Sequence, residues 1–449
     1  MLVPSDDGFA AAAAAWNLCF THDPALVVIA GTTADITEAV RFARAAGYRV
    51  AIQATGHGIA RPAGADTVLI VTSRLAGVTI DAAARTAHVS CGAKWGAVLA
   101  PAQEHGLAPL LGSTTDVGAV GYTLGGGMGW LGRRYGLASD SVRSFDLVLP
   151  DGTEAHASAT EQPELFWALK GGGGGTFGVV TAMDIELYPV TTVYAGNLLY
   201  PVGMAAEVIA RYRDWVVDGI DEQLTSSVLI MNFPPLDVVP EPIRGQSFVI
   251  VRGCWSGELA EGQRLIDAWR NWRTPAVDMF GPMPFSAADT ISNDPVDPIP
   301  AMVSTEWFDA LPNAAIETLV AATAADGEHP PMLLFSELRH AGGAIRANAA
   351  GAVNDRGRSG ELLLEMVGMV FGPEHGMALE AHIERTRQAL APFVTGAAYL
   401  NFMEGEDKRE RSASAYSDGH MVRLQAVKDA VDGGDRFSHG FGIVPTGSH

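Results

Sequence analysis

The strongest local signal for chemistry is a histidine, His57, in residues 53–58, which read QATGHG. Its neighbours Gly56 and Gly58 carry no side chains, so a flat ring can approach the imidazole closely, and glycine permits the unusual backbone angles of a turn. A histidine in a glycine turn is more often structural than reactive. The surrounding motifs therefore decide between the two interpretations.

A glycine-dense segment at 112–142 supplies part of that context. Glycines at this density indicate backbone amides that lie against a large anionic ligand such as a pyrophosphate. A second glycine run at 171–175 permits close backbone approach before the next predicted strand. We therefore expect a phosphate-bearing ligand at the first of these segments.

One rival interpretation is a nicotinamide-binding turn, because Gly127, Gly129 and Gly132 have the GxGxxG spacing. That fingerprint should follow a strand directly and open a helix, whereas the polar residues 133–136 come next here. The spacing fits and the context does not, so this rival is disfavoured.

Other catalytic motifs have no support. Lys170 precedes the glycine run instead of following it, so the segment is not a nucleotide triphosphatase loop. HExxH, GxSxG, paired CxxC and calcium-loop motifs do not occur in the sequence. We expect no metal site and no hydrolase chemistry.

The elements around these motifs indicate mixed helix and sheet. Residues 25–54 predict a strand, a helix with Asp35 as its cap and Gly47 as its stop, and a second strand. The dipeptide Asp151-Gly152 predicts a tight hairpin. Beyond 192 the pattern predicts long strands and amphipathic helices at 204–218 and 257–272. It also predicts a surface loop at 281–300, which either lies at the edge of a pocket or only joins two elements.

Composition limits the class of protein. A chain of 449 residues exceeds the roughly 250–300 that one core usually serves, which predicts two domains. The net charge of −21 is spread along the chain and argues against nucleic acid as a partner. Three cysteines without CxxC spacing, no signal sequence and no long apolar run predict a soluble cytoplasmic protein.

Several motifs together resemble the vanillyl-alcohol-oxidase superfamily with its PCMH-type FAD-binding domain, in particular the berberine-bridge-enzyme-like branch and the bacterial hydroxynicotine oxidases. They agree in order and spacing and cover essentially the whole chain. The motifs are TGHG at 55–58, VGAVGYTLGGGMG at 117–129, RRYGLASD at 133–140, ELFWALKGGGGGTFGVVT at 164–181, YLNF at 399–402 and RLQAVK at 423–428.

The resemblance implies an α+β fold with a two-lobed FAD-binding domain at 1–190, divided at about residue 105. It implies an inserted substrate domain at 191–404, built as an antiparallel sheet covered by helices, and a C-terminal segment at 405–449 that returns to the FAD-binding domain. His57 matches the family histidine, which implies an 8α-histidyl bond to FAD.

Other cofactor contacts follow from the same resemblance. Relatives with a second flavin link have a cysteine where this chain has Thr114, so one link is expected. Val117 lies where a small side chain leaves room for dioxygen, while Met128 replaces a tyrosine base and His420 replaces a common asparagine. The expected cofactor-binding residues are Thr55, Gly56, His57, Gly58, Thr114, Val117, Gly118, Gly121, Gly125, Gly126, Gly127, Gly129, Asp140, Gly174, Gly178, Val179, Val180 and Asn401.

Catalytic candidates come from two extended segments. In 335–340, strand alternation places Glu337 and Arg339 on one face and His340 on the other, and a surface ion pair between the first two is an equally good interpretation. Tyr399 and Asn401 share a face of a second predicted strand. A Glu or His could take a proton while hydride leaves the substrate, and Tyr or Asn could orient it. The candidates are Glu337, His340, Tyr399 and Asn401.

The leading hypothesis is an FAD-dependent oxidase that removes hydride from a carbon beside nitrogen or oxygen of a small molecule and reduces dioxygen to hydrogen peroxide. Amine, alcohol and sugar substrates stay open. The alternatives are a flavin-dependent dehydrogenase, a flavin-binding protein without turnover, and the nicotinamide-dependent enzyme. No motif indicates an oligomeric state.

Overall fold

Three β-sheets follow one another along the chain in a computed structural model that describes residues 1–217, 219–325 and 330–447. The first sheet is parallel, with its last strand in the middle, in the order β1-β3-β2. Its central strand is wholly buried, in keeping with its β-branched and aliphatic sequence. The strands are β1 (Leu26–Ile29), β2 (Arg49–Gln53) and β3 (Thr67–Val71).

The helix between the first two strands has a different cap from the one predicted. Thr32, not Asp35, occupies the N-cap, and the two form a reciprocal capping box in which each side chain accepts from the other's backbone N–H. Gly47 ends the helix in a left-handed conformation, as predicted. The predicted cap lies three residues too late because Thr32 and Asp35 are both good cap residues and only the geometry ranks them.

The second sheet is antiparallel, with the order β4-β5-β8-β6-β7. The hairpin predicted at Asp151-Gly152 joins its last two strands in this order. Its buried face packs on two helices, Trp95–Glu104 and Ala119–Leu124, and Cys91 and Trp95 lie in that core. The strands are β4 (Val78–Asp81), β5 (Thr86–Ser90), β6 (Val142–Val148), β7 (Glu154–Ser158) and β8 (Val179–Glu186).

The third sheet has eight strands in antiparallel pairs, in the order β12-β9-β11-β10-β15-β16-β14 with β13 beside β9. One face is apolar and packs beneath four helices, which span Ala205–Val217, Leu259–Trp272, Asn313–Thr323 and Pro373–Leu390. The opposite face carries charged side chains and turns toward the first two sheets. The strands are β9 (Thr192–Pro201), β10 (Leu224–Asn232), β11 (Ser247–Trp255), β12 (Val277–Asp278), β13 (Gly281–Pro284), β14 (Ala301–Phe308), β15 (Phe335–His340) and β16 (Leu362–Met369).

The α-helices lie between and around the sheets. The two helices predicted at 204–218 and 257–272 are present as the seventh and eighth. The helices are α1 (Phe9–Ala13), α2 (Thr33–Ala46), α3 (Trp95–Glu104), α4 (Ala119–Leu124), α5 (Gly132–Tyr135), α6 (Pro163–Leu169), α7 (Ala205–Val217), α8 (Leu259–Trp272), α9 (Asn313–Thr323), α10 (Gly343–Ala347), α11 (Pro373–Leu390), α12 (Gly405–Arg411) and α13 (Asp418–Asp432).

The C-terminal segment packs against the first two sheets. The Val50 backbone N–H of β2 donates to the carbonyl of Arg436, and Lys428 of α13 donates to the carbonyl of Thr176 at 2.8 Å. Gly405, at the start of α12, donates to the carbonyl of Ile59. The predicted α+β class is confirmed. In the described ranges, no helix has the length and apolar character needed to cross a membrane.

Candidate active site

A cavity of about 390 Å³ lies between the charged face of the third sheet and the loops of the first two. Its volume is within the usual range for ligand sites. One end is formed by the loop after β2 and by the C-terminal segment, and the other by β14, β15 and β16. Predicted residues that line it are Thr55, Gly56, His57, Gly58, Thr114, Val117, Gly118, Gly121, Gly174, Gly178, Val180 and Asn401.

His57 lies in this cavity with its ring held on two sides. Trp16 stacks on the imidazole at a centroid distance of 4.3 Å and an angle of 16°. Thr55 Oγ1 is 2.8 Å from Nδ1. Burial lowers the pKa of His57 to about 4, so the imidazole is neutral at physiological pH. A neutral, oriented imidazole retains a lone pair that can form a bond.

The loop that carries His57 presents unused backbone donors. Within the part of the chain that the structure describes, no backbone N–H from residues 55–60 donates to a protein acceptor. Gly56 has φ of +80°, and an added Cβ would lie 2.8 Å from Ala15, so only glycine fits the turn. Consecutive backbone amides without protein acceptors can donate to an anionic or carbonyl-rich ligand.

Tyr122, on α4, lines the same cavity and was not predicted. Its hydroxyl is buried and has no hydrogen-bond partner among the described residues. Burial raises the pKa of Tyr122 well above its usual value, so the group stays a protonated donor. Since buried hydroxyls are normally hydrogen-bonded, this group points to a ligand in the cavity.

Several predicted glycines lie outside the cavity and pack against protein. An added Cβ at Gly125 would collide with Asn401, at Gly127 with Tyr122, and at Gly129 with the carbonyl of Leu111. Gly126 has φ of +113° and accepts from Ser139. These glycines shape the turn that supports the cavity wall.

Two further predicted residues also lie behind the lining. Asp140 forms an ion pair with the buried Arg358 at 3.0 Å and accepts from the backbone of Leu137. Val179 is fully buried in β8. Both support the fold around the cavity.

The structure does not support the nicotinamide-binding interpretation. Gly127, Gly129 and Gly132 follow the helix α4, not a strand, and α5, which begins at Gly132, has only four residues. Arg133 of α5 is buried and donates to the carbonyl of Ala341 at 2.8 Å. The segment therefore lies between two strands of the second sheet, packs against the third, and lacks the βαβ context of a dinucleotide fingerprint.

A chain of buried charges crosses the inner face of the third sheet. Glu337 of β15 accepts from Ser227 at 2.5 Å, from Arg252 at 2.9 Å and from Arg339 at 2.9 Å. Arg339 in turn donates to Glu365 of β16 at 3.0 Å. Glu337 and Arg339 do share a face, but their ion pair is buried, so the surface interpretation is wrong.

The two carboxylates of this chain differ in environment. Burial opposes ionisation of Glu337, yet Arg252 and Arg339 together hold its pKa at about 2. Burial raises the pKa of Glu365 to about 7, although Arg339 lowers it. Glu365 and Arg339 line the cavity, whereas Glu337 lies behind them. A carboxylate with a pKa near neutrality can exchange a proton with a bound molecule.

Of the other three catalytic candidates, one lines the main cavity and two do not. His340 is buried beside a separate space of about 10 Å³, its Nδ1 has no partner in the described ranges, and burial lowers its pKa to about 3. The Tyr399 hydroxyl accepts from the Met128 backbone at 2.6 Å and does not line the main cavity. Asn401 lines it and donates to the carbonyl of Tyr122 at 2.9 Å.

The strand predicted for Tyr399 and Asn401 is wrong. Residues Leu400–Phe402 form a 3₁₀ turn, so the two side chains leave the backbone in different directions. This turn packs against the edge strand β14 but does not pair with it, because a 3₁₀ backbone does not form the hydrogen-bond ladder of a strand.

The four positions at which the resemblance singles out a substitution or a small side chain do not all reach the cavity. Thr114 and Val117 line the cavity, Met128 is buried outside it, and His420 lies 3.4 Å from Asp355 at the start of α13. No group of three or more metal-ligating side chains occurs among the residues described.

Comparison with known proteins agrees with this geometry. Residues 24–158 match the family model described as an FAD binding domain. An (R)-6-hydroxynicotine oxidase from Paenarthrobacter nicotinovorans is 27% identical over 462 residues, covering 100% of this chain and 97% of that protein.

Two solved structures share the fold. The 6-hydroxy-D-nicotine oxidase from Arthrobacter nicotinovorans has a TM-score of 0.82 at 22% identity, covering 98% of this chain and 97% of that one. Berberine bridge enzyme from Eschscholzia californica has a TM-score of 0.84 at 21% identity, covering 100% and 97%. The predicted resemblance is confirmed. The chain therefore contains an FAD-binding domain, shares the fold of these two solved structures, and is an FAD-dependent oxidoreductase.

Proposed function

We propose that this protein is an oxidase that carries FAD on His57, removes hydride from a C–N or C–O centre of a small molecule, and reduces dioxygen to hydrogen peroxide. The observation that carries the proposal is that a neutral histidine and a carboxylate of near-neutral pKa open into one cavity. The first suits cofactor attachment and the second suits proton transfer.

The residues of the cavity fit an FAD molecule. The free amides of 55–60 offer donors to oxygen-rich parts of the cofactor, and the unpartnered Tyr122 hydroxyl offers another. Gly174 and Gly178 line the wall and permit close approach. When bound there, FAD would accept a hydride from the substrate and pass the electrons to dioxygen.

Attachment through His57 alone is favoured by the side chains around it. Thr114, at the position of a second attachment in some relatives, has no thiol. Of the three cysteines only Cys91 lines the cavity, and burial raises its pKa to about 11, which keeps it a thiol. Three histidines line the cavity, and His22 is engaged at both ring nitrogens, with Gln53 at 3.0 Å and with the Ala63 backbone N–H at 2.8 Å. His57 is the one that stacks on Trp16 with its Nδ1 beside Thr55, and it is the one that matches the family histidine.

Glu365, rather than Glu337, is the proposed base. Arg339 holds Oε2 of Glu365 in place, and Oε1 has no hydrogen-bond donor among the described residues. That oxygen accepts the proton from a substrate O–H or N–H as hydride leaves the adjacent carbon. Glu337 accepts three hydrogen bonds and has a pKa of about 2, so it is a permanent counter-ion.

Asn401, Tyr399 and His340 have supporting roles in this proposal. Asn401 binds the backbone of Tyr122 and so fixes the wall beside the cofactor. Tyr399 anchors the turn at Met128. His340 stays neutral and does not reach the main cavity.

The substrate end of the cavity suits a small, partly apolar molecule. Val303, Leu334 and Val367 form an apolar wall, and polar groups occur at Glu365, Arg339 and Asp294. Val117 lines the cofactor end, and its small side chain is proposed to leave room for dioxygen. The free thiols of all three cysteines fit the proposed cytoplasmic location.

Peroxide release in air tests this function, measured with panels of amines, alcohols and sugars at a single enzyme concentration. We expect one class to give turnover, and Glu365→Gln to suppress it while flavin stays bound. Substrate-dependent flavin bleaching without peroxide would assign a dehydrogenase. Bound flavin that no panel member reduces would assign a flavin-binding protein without turnover and contradict the proposal.

A further inference from the structure

Lys408 of α12 is a buried lysine at the His57 end of the cavity. The residue is 3% exposed and lines the cavity wall. Its ammonium group lies 4.3 Å from the ring centroid of Phe441 and 3.5 Å from the carbonyl oxygen of Gly58. A carbonyl at that distance is a weak acceptor for a group with three donors.

Lys428 shows how this fold satisfies a buried ammonium that has a structural role. Its Nζ donates to the Thr176 carbonyl at 2.8 Å, to Asp432 at 2.7 Å and to the Phe437 carbonyl at 3.0 Å. Among the described residues Lys408 has no contact as short as these, although it is also buried. Burying an ammonium without partners is costly, so an acceptor from a bound ligand is expected.

The nearest carboxylate does not supply that acceptor. Glu404 precedes Lys408 by one helical turn, but it accepts from Asn17 at 2.6 Å and forms no ion pair with Lys408 within the described residues. Burial lowers the pKa of Lys408 to about 8 and Glu404 opposes this, so the ammonium is charged at neutral pH. A charged group with spare donors therefore faces the cavity.

The same wall contains the free backbone donors of the His57 loop. The residues from 55 to 60 donate no backbone hydrogen bond in the described chain, and Gly58 is the residue that Lys408 touches. A row of amides beside one cation is the arrangement that binds phosphate oxygens.

We propose that Lys408 is a charged anchor for the diphosphate of the cofactor, placed beside the free amides of residues 55–60. This inference rests on the proposed FAD-dependent function and adds a charged anchor to it. Lys408 is a binding residue in this account and does not take part in hydride or proton transfer.

The test uses the full chain with His57→Ala, so that flavin binding is reversible. Equilibrium binding of FAD, ADP and riboflavin is measured by calorimetry with and without Lys408→Met. We expect Lys408→Met to weaken FAD and ADP by about tenfold or more, as for loss of a charged hydrogen bond, and to leave riboflavin, which has no phosphate, unchanged. Lys408→Arg should recover part of the loss.

Lys170→Met is the matched control, because Lys170 also lies over a phenylalanine ring, at 5.3 Å from that of Phe166, but outside the cavity. It should change none of the three affinities. Equal weakening of FAD and riboflavin by Lys408→Met, or no weakening of FAD, would overturn the inference. Should Lys408→Met melt early, Lys408→Gln gives the same comparison. Failure of the His57→Ala parent itself to bind FAD would instead count against the proposed function.

Discussion

Glu337 and Glu365 lie directly opposite each other on the paired strands β15 and β16, and Arg339 donates a hydrogen bond to each. Like charges opposite one another destabilise a sheet unless a cation separates them. Arg252 adds a second cation on the Glu337 side. The pair is therefore asymmetric, with one permanently ionised carboxylate and one that titrates near neutrality.

Replacement of Glu365 tests its role as the base. Glu365→Gln keeps the shape and the contact with Arg339 but removes the proton acceptor, so flavin reduction by substrate should slow by about 10²–10⁴-fold. Rapid-mixing absorbance measures this step directly. Glu361→Gln, which lies just before the same strand and outside the cavity, is the control. A rate within a few-fold of the parent would remove Glu365 from the mechanism.

The pH dependence follows from the same group. Activity needs Glu365 as a carboxylate, so kcat/KM should rise with pH through about 7. The charged groups that act on it are Arg339 and Arg252, which lower its pKa, and Glu337 and Asp294, which raise it. Glu337→Gln should therefore move the midpoint to lower pH and Arg339→Met to higher pH. A midpoint that neither substitution moves would contradict this assignment.

Glu337 is predicted to matter more for stability than for chemistry. Glu337→Gln leaves Arg252 and Arg339 buried without their shared counter-ion, which should lower the free energy of unfolding by about 3–5 kcal/mol. Urea denaturation monitored by tryptophan fluorescence checks the value. Glu361→Gln, whose partner Arg346 is partly exposed, should cost far less. Equal decreases in the free energy of unfolding for the two variants would show that the buried network contributes no more to stability than the exposed ion pair.

Tyr122 is predicted to bind the cofactor. Tyr122→Phe removes a buried hydroxyl that has no protein partner among the described residues, so the protein without flavin should be as stable as the parent or more so. In the His57→Ala background, FAD affinity should fall several-fold, as for a net loss of about 0.5–1.5 kcal/mol. Unchanged affinity together with unchanged stability would mean that the hydroxyl meets no ligand.

The sequence predicted the elements with strong periodicity and the loop that contains His57. The helices at 204–218 and 257–272 and the hairpin at Asp151-Gly152 are present because their apolar spacing and turn residues are decisive on a local scale. The helix cap at Asp35 was placed wrongly because Thr32 competes for it three residues earlier. Local signals of equal strength need the backbone geometry to rank them.

The substrate side of the cavity was harder to predict. Glu365 is the only charged residue within the apolar run of β16, which was an available signal since an unpaired charge is rarely buried. Its importance depends on register, because β15 and β16 bring it opposite Glu337. Trp16, near the N-terminus, stacks on His57, and Lys408, near the C-terminus, contacts the loop that carries it. No local sequence pattern indicates such long-range contacts.

Visible absorbance of the acid-precipitated polypeptide tests the central claim of a covalent flavin on His57 most directly. Protein purified after expression with flavin available is precipitated, washed and redissolved, for the parent and for His57→Ala. We predict that the yellow absorbance stays with the parent polypeptide and moves to the supernatant for His57→Ala. Flavin that leaves the parent polypeptide, or is absent from both fractions, would contradict the account.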